Sequence, residues 1–230
     1  KSNEKLIKLP IIGNAKTDTV DYEKLSSLKP DVVFAGTPEQ ANLIQNKTGI
    51  PTFVTYVGAV GTEQQMEKYE NSLIMMGKIL GKEDRANELI GYMDEIEDDL
   101  EKRVEHAKKD KTVYVAGQAF YGVHGITSTN HYYPSFTHLN TTNVVNGVGG
   151  DNATIHAIQV DKEQLIKWNP DYIFIEGASY QVIREDISKN PDYKHMSAIK
   201  DKKVHNLLTY CLYSYNKEEM FANSYYVGKI

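Results

Sequence analysis

The sequence predicts an α/β protein of two Rossmann-like lobes with parallel sheets, joined by one long backbone helix. Three observations predict it. A helix-strand block occurs twice, the second copy 140 residues after the first. Helices and apolar strands alternate in both halves. Between the halves lies a long stretch with apolar residues at helical spacing.

The first copy of the block is DYEKLSSLKPDVVFAG, residues 21–36, and the second is DKEQLIKWNPDYIFIE, residues 161–176. Asp, Glu, Leu, Pro, Asp and Phe recur in step at 21/161, 23/163, 25/165, 30/170, 31/171 and 34/174. Asp21 and Asp161 are placed to cap a short helix. Pro30 and Pro170 stop it, because the residue before a proline is pushed out of the helical region. The runs VVFA and YIFI have strand length and no polar alternation, which predicts strands buried on both faces. In the first lobe a helix follows, capped by Thr37 and ended by Gly49, and then a strand in IPTFVTY, residues 50–56.

The segment joining the lobes starts with a helix over 62–80. Thr62 and Gln65 form the T-x-x-Q of a capping box, Met66, Tyr69, Leu73, Met76 and Leu80 form the stripe, and Gly81 ends it. A second helix is predicted from about Glu83 to Lys109, roughly 40 Å at 1.5 Å per residue. Its stripe of Ala86, Leu89, Ile90, Met93, Ile96, Leu100 and Val104 lacks strict heptad order, so it reads as an intramolecular strut and not a coiled-coil seam. A strand follows at about 112–117, then loop-rich sequence to about 155, the second block, and a last strand around Val204–Leu208. The domain division predicted is 1–61, 62–110 and 111–230. The first lobe lacks a counterpart of the strand at 112–117, so it reads as incomplete.

Composition narrows the function. A net charge of −5 argues against general nucleic-acid binding, which needs clustered positive charge. The single cysteine, Cys211, excludes an internal disulfide framework and a cysteine-based zinc site. His124, His131, His138 and His156 lie close in sequence, but no pair has i,i+4 spacing and there is no H-E-x-x-H. No dinucleotide fingerprint, Walker A motif or nucleophile elbow occurs. The stretch VVNGVGGDNAT, residues 144–154, is glycine-rich without the lysine of a phosphate loop. No catalytic set is found. An enzyme on a doubly wound α/β fold acting on a small polar substrate is the alternative reading.

The order of lobe, strut and lobe, the two Pro-Asp blocks and the junction GKILGKEDRANELI, residues 77–90, resemble the helical-backbone class of ABC-transporter substrate-binding proteins. YGVHGITSTNHYYPSFTHLNTTNVV, residues 121–145, is similar to an iron-complex binding subgroup of that class. The resemblance implies capture of an iron-siderophore or similar metal chelate between the lobes, outside the cell, and delivery to an ABC permease and its ATPase. Haem, a corrinoid or a bare metal ion are the alternative cargoes. It also implies a monomer, a lipid anchor on an N-terminal segment preceding this sequence, and no cofactor or nucleic-acid partner.

In such proteins the ligand lies at the carboxyl ends of the strands. That expectation selects Thr37 and Tyr56 in the first lobe. In the second it selects Tyr121, His124, His131, Tyr132, Tyr133, Tyr180, Tyr210 and Tyr213. Aromatic rings can stack on a flat chelate, and phenol and imidazole can donate to it. The resemblance further implies one acidic docking residue on each lobe. Glu39 fits the first. In the second Tyr213 stands where the acid is wanted, with Glu218 and Glu219 nearby, and Glu218 is the candidate.

Overall fold

The computed structural model of the chain describes residues 4–14, 19–118, 122–148 and 157–230. These divide into two compact units, Lys1–Tyr56 and Val57–Ile230.

The first unit opens with a short helix, α1 (Glu4–Ile7), and a two-residue antiparallel pair, β1 (Gly13–Asn14) with β2 (Thr19–Val20). The first sequence block then folds as α2 (Tyr22–Leu28) and β3 (Val33–Ala35). Asp21 caps α2 by accepting the Lys24 N–H at 2.9 Å. After α3 (Pro38–Thr48), β4 (Thr52–Val54) runs parallel to β3, with Phe34 opposite Phe53. Leu25, Ala35, Ala41 and Ile44 form the small core between helices and strands.

The second unit starts with α4 (Glu63–Leu80) and α5 (Glu83–Val104). The Thr62 hydroxyl accepts the Gln65 N–H at 3.3 Å, while the Gln65 side chain reaches the N–H of Gly61 at 2.9 Å, one residue beyond the cap. The junction motif has a packing cause. A Cβ on Gly77 would lie 2.9 Å from that of Ala86, so glycine lets α5 fold back against α4. Gly81 supplies the left-handed turn between them at φ 62°. Helix α5 ends at Val104 and not near Lys109, so its 22 residues span about 33 Å. Beyond Val104 the chain is exposed through Asp110 and offers no stripe to bury.

A four-stranded parallel sheet follows, in the order β10-β9-β5-β7. Its strands are β5 (Thr112–Ala116), β7 (Thr142–Asn143), β9 (Tyr172–Ile175) and β10 (Val204–Asn206). The loop-rich stretch after β5 also holds β6 (Ser128–Thr129), which pairs antiparallel with β8 (Ile158–Gln159), and a short helix, α6 (Pro134–His138). Elements of two to five residues carry too little periodicity to be read from sequence. The remaining helices are α7 (Lys162–Trp168), α8 (Tyr180–Lys189), α9 (Ser197–Lys200) and α10 (Lys217–Lys229).

Strand alternation sorts the core. Tyr114, Ala116, Ile173 and Ile175 face Leu165, Ile183, Met196 and Ala198 in one buried cluster, with Trp168 partly buried against it. On the other face Phe174 meets the edge of Phe136 at 5.6 Å. No helix among the described residues is long and apolar enough to cross a membrane.

The two copies of the block fold alike in detail. Helix, left-handed residue, proline, aspartate and strand recur, with Lys29 at φ 48° and Asn169 at φ 44°. Leu25 and Leu165 are buried in each. The expected cap on α7 is absent, since Asp161 makes no side-chain cap bond. Asp171 has a further task. Its carboxylate accepts the N–H of Thr112 at 2.9 Å and the Thr112 hydroxyl at 3.0 Å, while that hydroxyl oxygen accepts the Asp171 N–H at 3.0 Å. This reciprocal pair fixes the start of β9 against the start of β5, and the Thr112 N–H holds the Asp171 carboxyl below its ordinary range. Asp171→Ala should lower stability by about 1–3 kcal/mol in urea unfolding at neutral pH. A depressed folded pKa stabilises above the unfolded value and ceases to as the pH falls through the folded one. The gap between variant and parent should therefore narrow in acid.

Candidate functional site

Three parallel strands of the second unit end at one level. Ala116 of β5 and Asn206 of β10 both lie in register with Ile175 of β9. The loops leaving them, at Gly117, Glu176 and Leu207, therefore emerge from the same edge of the sheet, where open α/β sheets bind ligands.

Hydrogen bonds tie these loops together. The Ser179 hydroxyl donates to the Gly117 carbonyl at 2.7 Å and accepts the His124 N–H at 3.2 Å. Gly117 turns the chain at φ 75°, and a Cβ there would sit 2.5 Å from that of Ser179. The Gly122 N–H donates to Leu212 O at 3.0 Å, joining the β5 loop to the β10 loop. The β10 loop closes on itself, with the Asn216 N–H on Tyr210 O at 2.8 Å and its side-chain amide on Thr209 O at 2.7 Å.

Beneath the loops lies Glu176, fully buried. One carboxyl oxygen accepts the N–H groups of Tyr210 and Cys211, and the other accepts the Tyr133 hydroxyl at 3.4 Å. Asn223 on α10 donates to the Tyr133 oxygen at 3.3 Å and brackets Leu208 from both sides, donating to its carbonyl at 3.0 Å and accepting its N–H at 2.9 Å. The Tyr133 ring packs edge-on against Phe136 at 5.2 Å and Tyr210 at 5.7 Å. The Tyr210 hydroxyl accepts the Val60 N–H at 3.1 Å, at the entry to α4. Burial pushes the Glu176 carboxyl up to about 8, against the opposing pull of the Tyr210 and Cys211 N–H groups. Burial and the neighbouring carboxyl push the Cys211 thiol up to about 12.

The candidate residues of the second unit fall into two sets. Tyr132 and Tyr213 are exposed, and His124 and Tyr180 half-buried. All four lie on or beside the joined loops. Tyr133 and Tyr210 are fully buried and hold the loops from below through the bonds just described. His131 is buried too. Its Nδ1 lies 3.0 Å from Val145 O, a group that can only accept, so Nδ1 carries the proton. The Nε2 of His131 and the side-chain oxygen of Gln118 are buried without a hydrogen-bond partner among the described residues. Tyr121 and His156 lie outside the described residues, as does part of the 144–154 stretch. Glu218 is exposed in the first turn of α10.

In the first unit the Thr37 hydroxyl caps α3 by accepting the Gln40 N–H at 3.1 Å, and Glu39 is exposed in the first turn of that helix. Tyr56 is half-buried, and burial raises its phenol. No group of three or more His, Cys, Asp or Glu side chains among the described residues is placed to hold a metal ion. The helices enclose apolar recesses of their own, one of about 440 Å³ between α4, α5 and α10, but it includes no residue of the three loops.

Sequence reading missed Glu176, Ser179 and Asn223. A signal existed for the first. In the aligned blocks Glu176 stands where the other copy has Gly36. A carboxylate ending an apolar strand is a departure that a purely structural repeat does not need.

The sequence pattern of the family described as Periplasmic binding protein matches residues 2–208. The Fe(3+)-citrate-binding protein YfmC of Bacillus subtilis is 28% identical over 190 residues, which are 81% of this chain and 56% of that protein. The petrobactin-binding protein YclQ of the same organism is 25% identical over 179 residues, 74% of this chain and 54% of that one. The chain spans about half the length of the curated relatives it matches. A periplasmic solute binding protein from Veillonella parvula shares the fold, with a TM-score of 0.70 at 22% identity over 98% of this chain and 67% of that one.

The buried carboxyl has a pH signature. Its folded value of about 8 lies above the ordinary 4.5, so its contribution to stability is full below 4.5 and is lost as the pH rises through 8. Unfolding midpoints of the parent protein should fall between pH 5 and 9. Glu176→Gln, which keeps an acceptor but no charge, should flatten that fall. Glu176→Ala should cost a few kcal/mol at every pH, because two buried N–H groups lose their acceptor.

Proposed function

The chain belongs to the periplasmic binding protein family, and from that premise we propose that it captures an iron-siderophore or similar metal chelate outside the cell and delivers it to an ABC importer. The observation that carries this reading is the common level of β5, β9 and β10. His124, Tyr180 and Tyr213 belong to the loops that leave this level and Tyr132 follows in the chain, which supports a cargo surface there. A protein that binds and releases needs such a surface, and a hydrolase or transferase needs a nucleophile or base poised beside it.

The cargo contacts we assign in the second unit are those four residues, with His131 behind them. Tyr133 and Tyr210 support the loops from below, and Tyr121 completes the set by its place in the sequence. In the first unit we assign Thr37 and Tyr56. Glu39 and Glu218, both exposed in first helical turns, are the docking residues for the permease. The division 1–61, 62–110 and 111–230 is the functional one we propose: a first lobe, a helical connection and a second lobe. The relatives' names support an iron complex as cargo, and the family supports a place outside the cytoplasm and a permease and its ATPase as partners; action as a monomer is part of the proposal.

The test is native mass spectrometry of the full chain against ferric hydroxamates, ferric catecholates, ferric citrate, haem and cobinamide. At least one should be retained, and retention of none would sink the reading. Tyr132→Ala and Tyr213→Ala together should weaken the retained complex by about fivefold or more, since two aromatic contacts are each worth about 0.5–1.5 kcal/mol. Circular dichroism should stay unchanged, as both rings are exposed.

A further inference from the structure

The loop edge of the second unit is aromatic and carries no charged side chain. Residues 117–118, 122–133, 177–183 and 207–216 contain no Asp, Glu, Lys or Arg. Their large exposed side chains are apolar or aromatic, with Val123 49% exposed, Leu208 51%, Tyr132 38% and Tyr213 60%, and the polar ones beside them, Gln181, Ser214 and Asn216, are uncharged. Two carboxyl groups lie against this edge: Glu176 is turned inward to the N–H groups of Tyr210 and Cys211, and Asp186 of α8 accepts the Ile126 N–H at 2.9 Å. Ionised, either would only add a negative charge.

We propose that this edge selects its metal complex by charge, accepting a neutral or cationic complex that offers ring or apolar surface and rejecting polyanionic ones. The proposal rests on the capture of a metal chelate argued above and narrows its class. A polyanionic complex must shed water from each anionic group as it meets the loops, and the described residues of the loops offer no cation to replace that water. An unpaired charge losing its hydration costs far more than a stacking contact returns. A neutral complex pays no such penalty, and a cationic one gains from the negative faces of the tyrosine rings.

Positive groups near this edge do not reverse the balance. Lys217 begins α10, but its ammonium lies over the rings of Tyr69 at 4.8 Å and Tyr215 at 5.7 Å. Arg184 is exposed on α8, one turn beyond Tyr180. The N-terminus of α8 opens at the edge, yet a helix end supplies about half a charge, against the three of a ferric tricatecholate. The chain as a whole carries −5.

The test compares iron complexes of different charge on the full chain by isothermal titration: ferrichrome, a neutral trishydroxamate; ferrioxamine B, a cationic one; ferric enterobactin, a trianionic tricatecholate; and ferric citrate. A neutral or cationic hydroxamate should bind at least about tenfold tighter than either anionic complex, with a Kd that changes less than about twofold between low and high salt. Arg184→Ala should leave that Kd unchanged. Equal or tighter binding of an anionic complex would overturn the charge selection while leaving capture of a chelate intact. So would a steep loss of its affinity with salt, or on removal of Arg184. Failure of all four complexes would instead bring down the capture of iron chelates itself, and the charge selection with it.

Discussion

A single buried carboxyl group holds the loop edge of the second unit in place. Glu176 ends its strand where the chain must change direction, and it accepts two backbone N–H groups from the loop after β10. A buried N–H without an acceptor is costly, so that loop has few alternatives to lying where it does. Through Tyr210 the same group reaches Val60 at the entry to α4, and through Tyr133 it reaches Asn223 on α10. Strand, loop and two helices thus share one buried polar node. Networks of this kind specify a unique arrangement when fully satisfied. The exposed tyrosines can then be presented on loops that do not wander.

The scaffold around the node is simpler and repeats. Each copy of the block stops its helix with a left-handed residue, turns at Pro-Asp and enters a strand parallel to the next. In the second copy the aspartate also clamps β9 to β5, which sets the level at which both strands end. The position of the loop edge is therefore decided at the opposite end of the sheet, by Asp171 and Thr112.

Much of the fold was legible because its long elements follow strong local rules. Thr37, Thr62 and Asp21 cap the helices they precede, and the apolar runs at 33–35, 112–116 and 172–175 are strands. Legibility failed where tertiary contact decides. Asp161 has the sequence of a cap and does not act as one, and α5 stops once its stripe stops. The site shows the limit most clearly. Tyr132 and Tyr133 are adjacent and have the same chemistry, yet one is exposed and the other fully buried. Tyr210 and Tyr213 divide in the same way. Sequence marks these loops as aromatic, but only the partners across the sheet decide which rings are structural and which remain available.

Cys211 gives the molecule an experimental convenience. It is the chain's single cysteine, it is buried beside Glu176, and its thiol is held far from the thiolate form that reacts with maleimides and disulfides. Burial and the raised thiol shield Cys211 from thiol reagents in the folded chain. A cysteine placed on an exposed loop tip would label ahead of Cys211, so a fluorophore or spin probe can be attached at a chosen point of the edge.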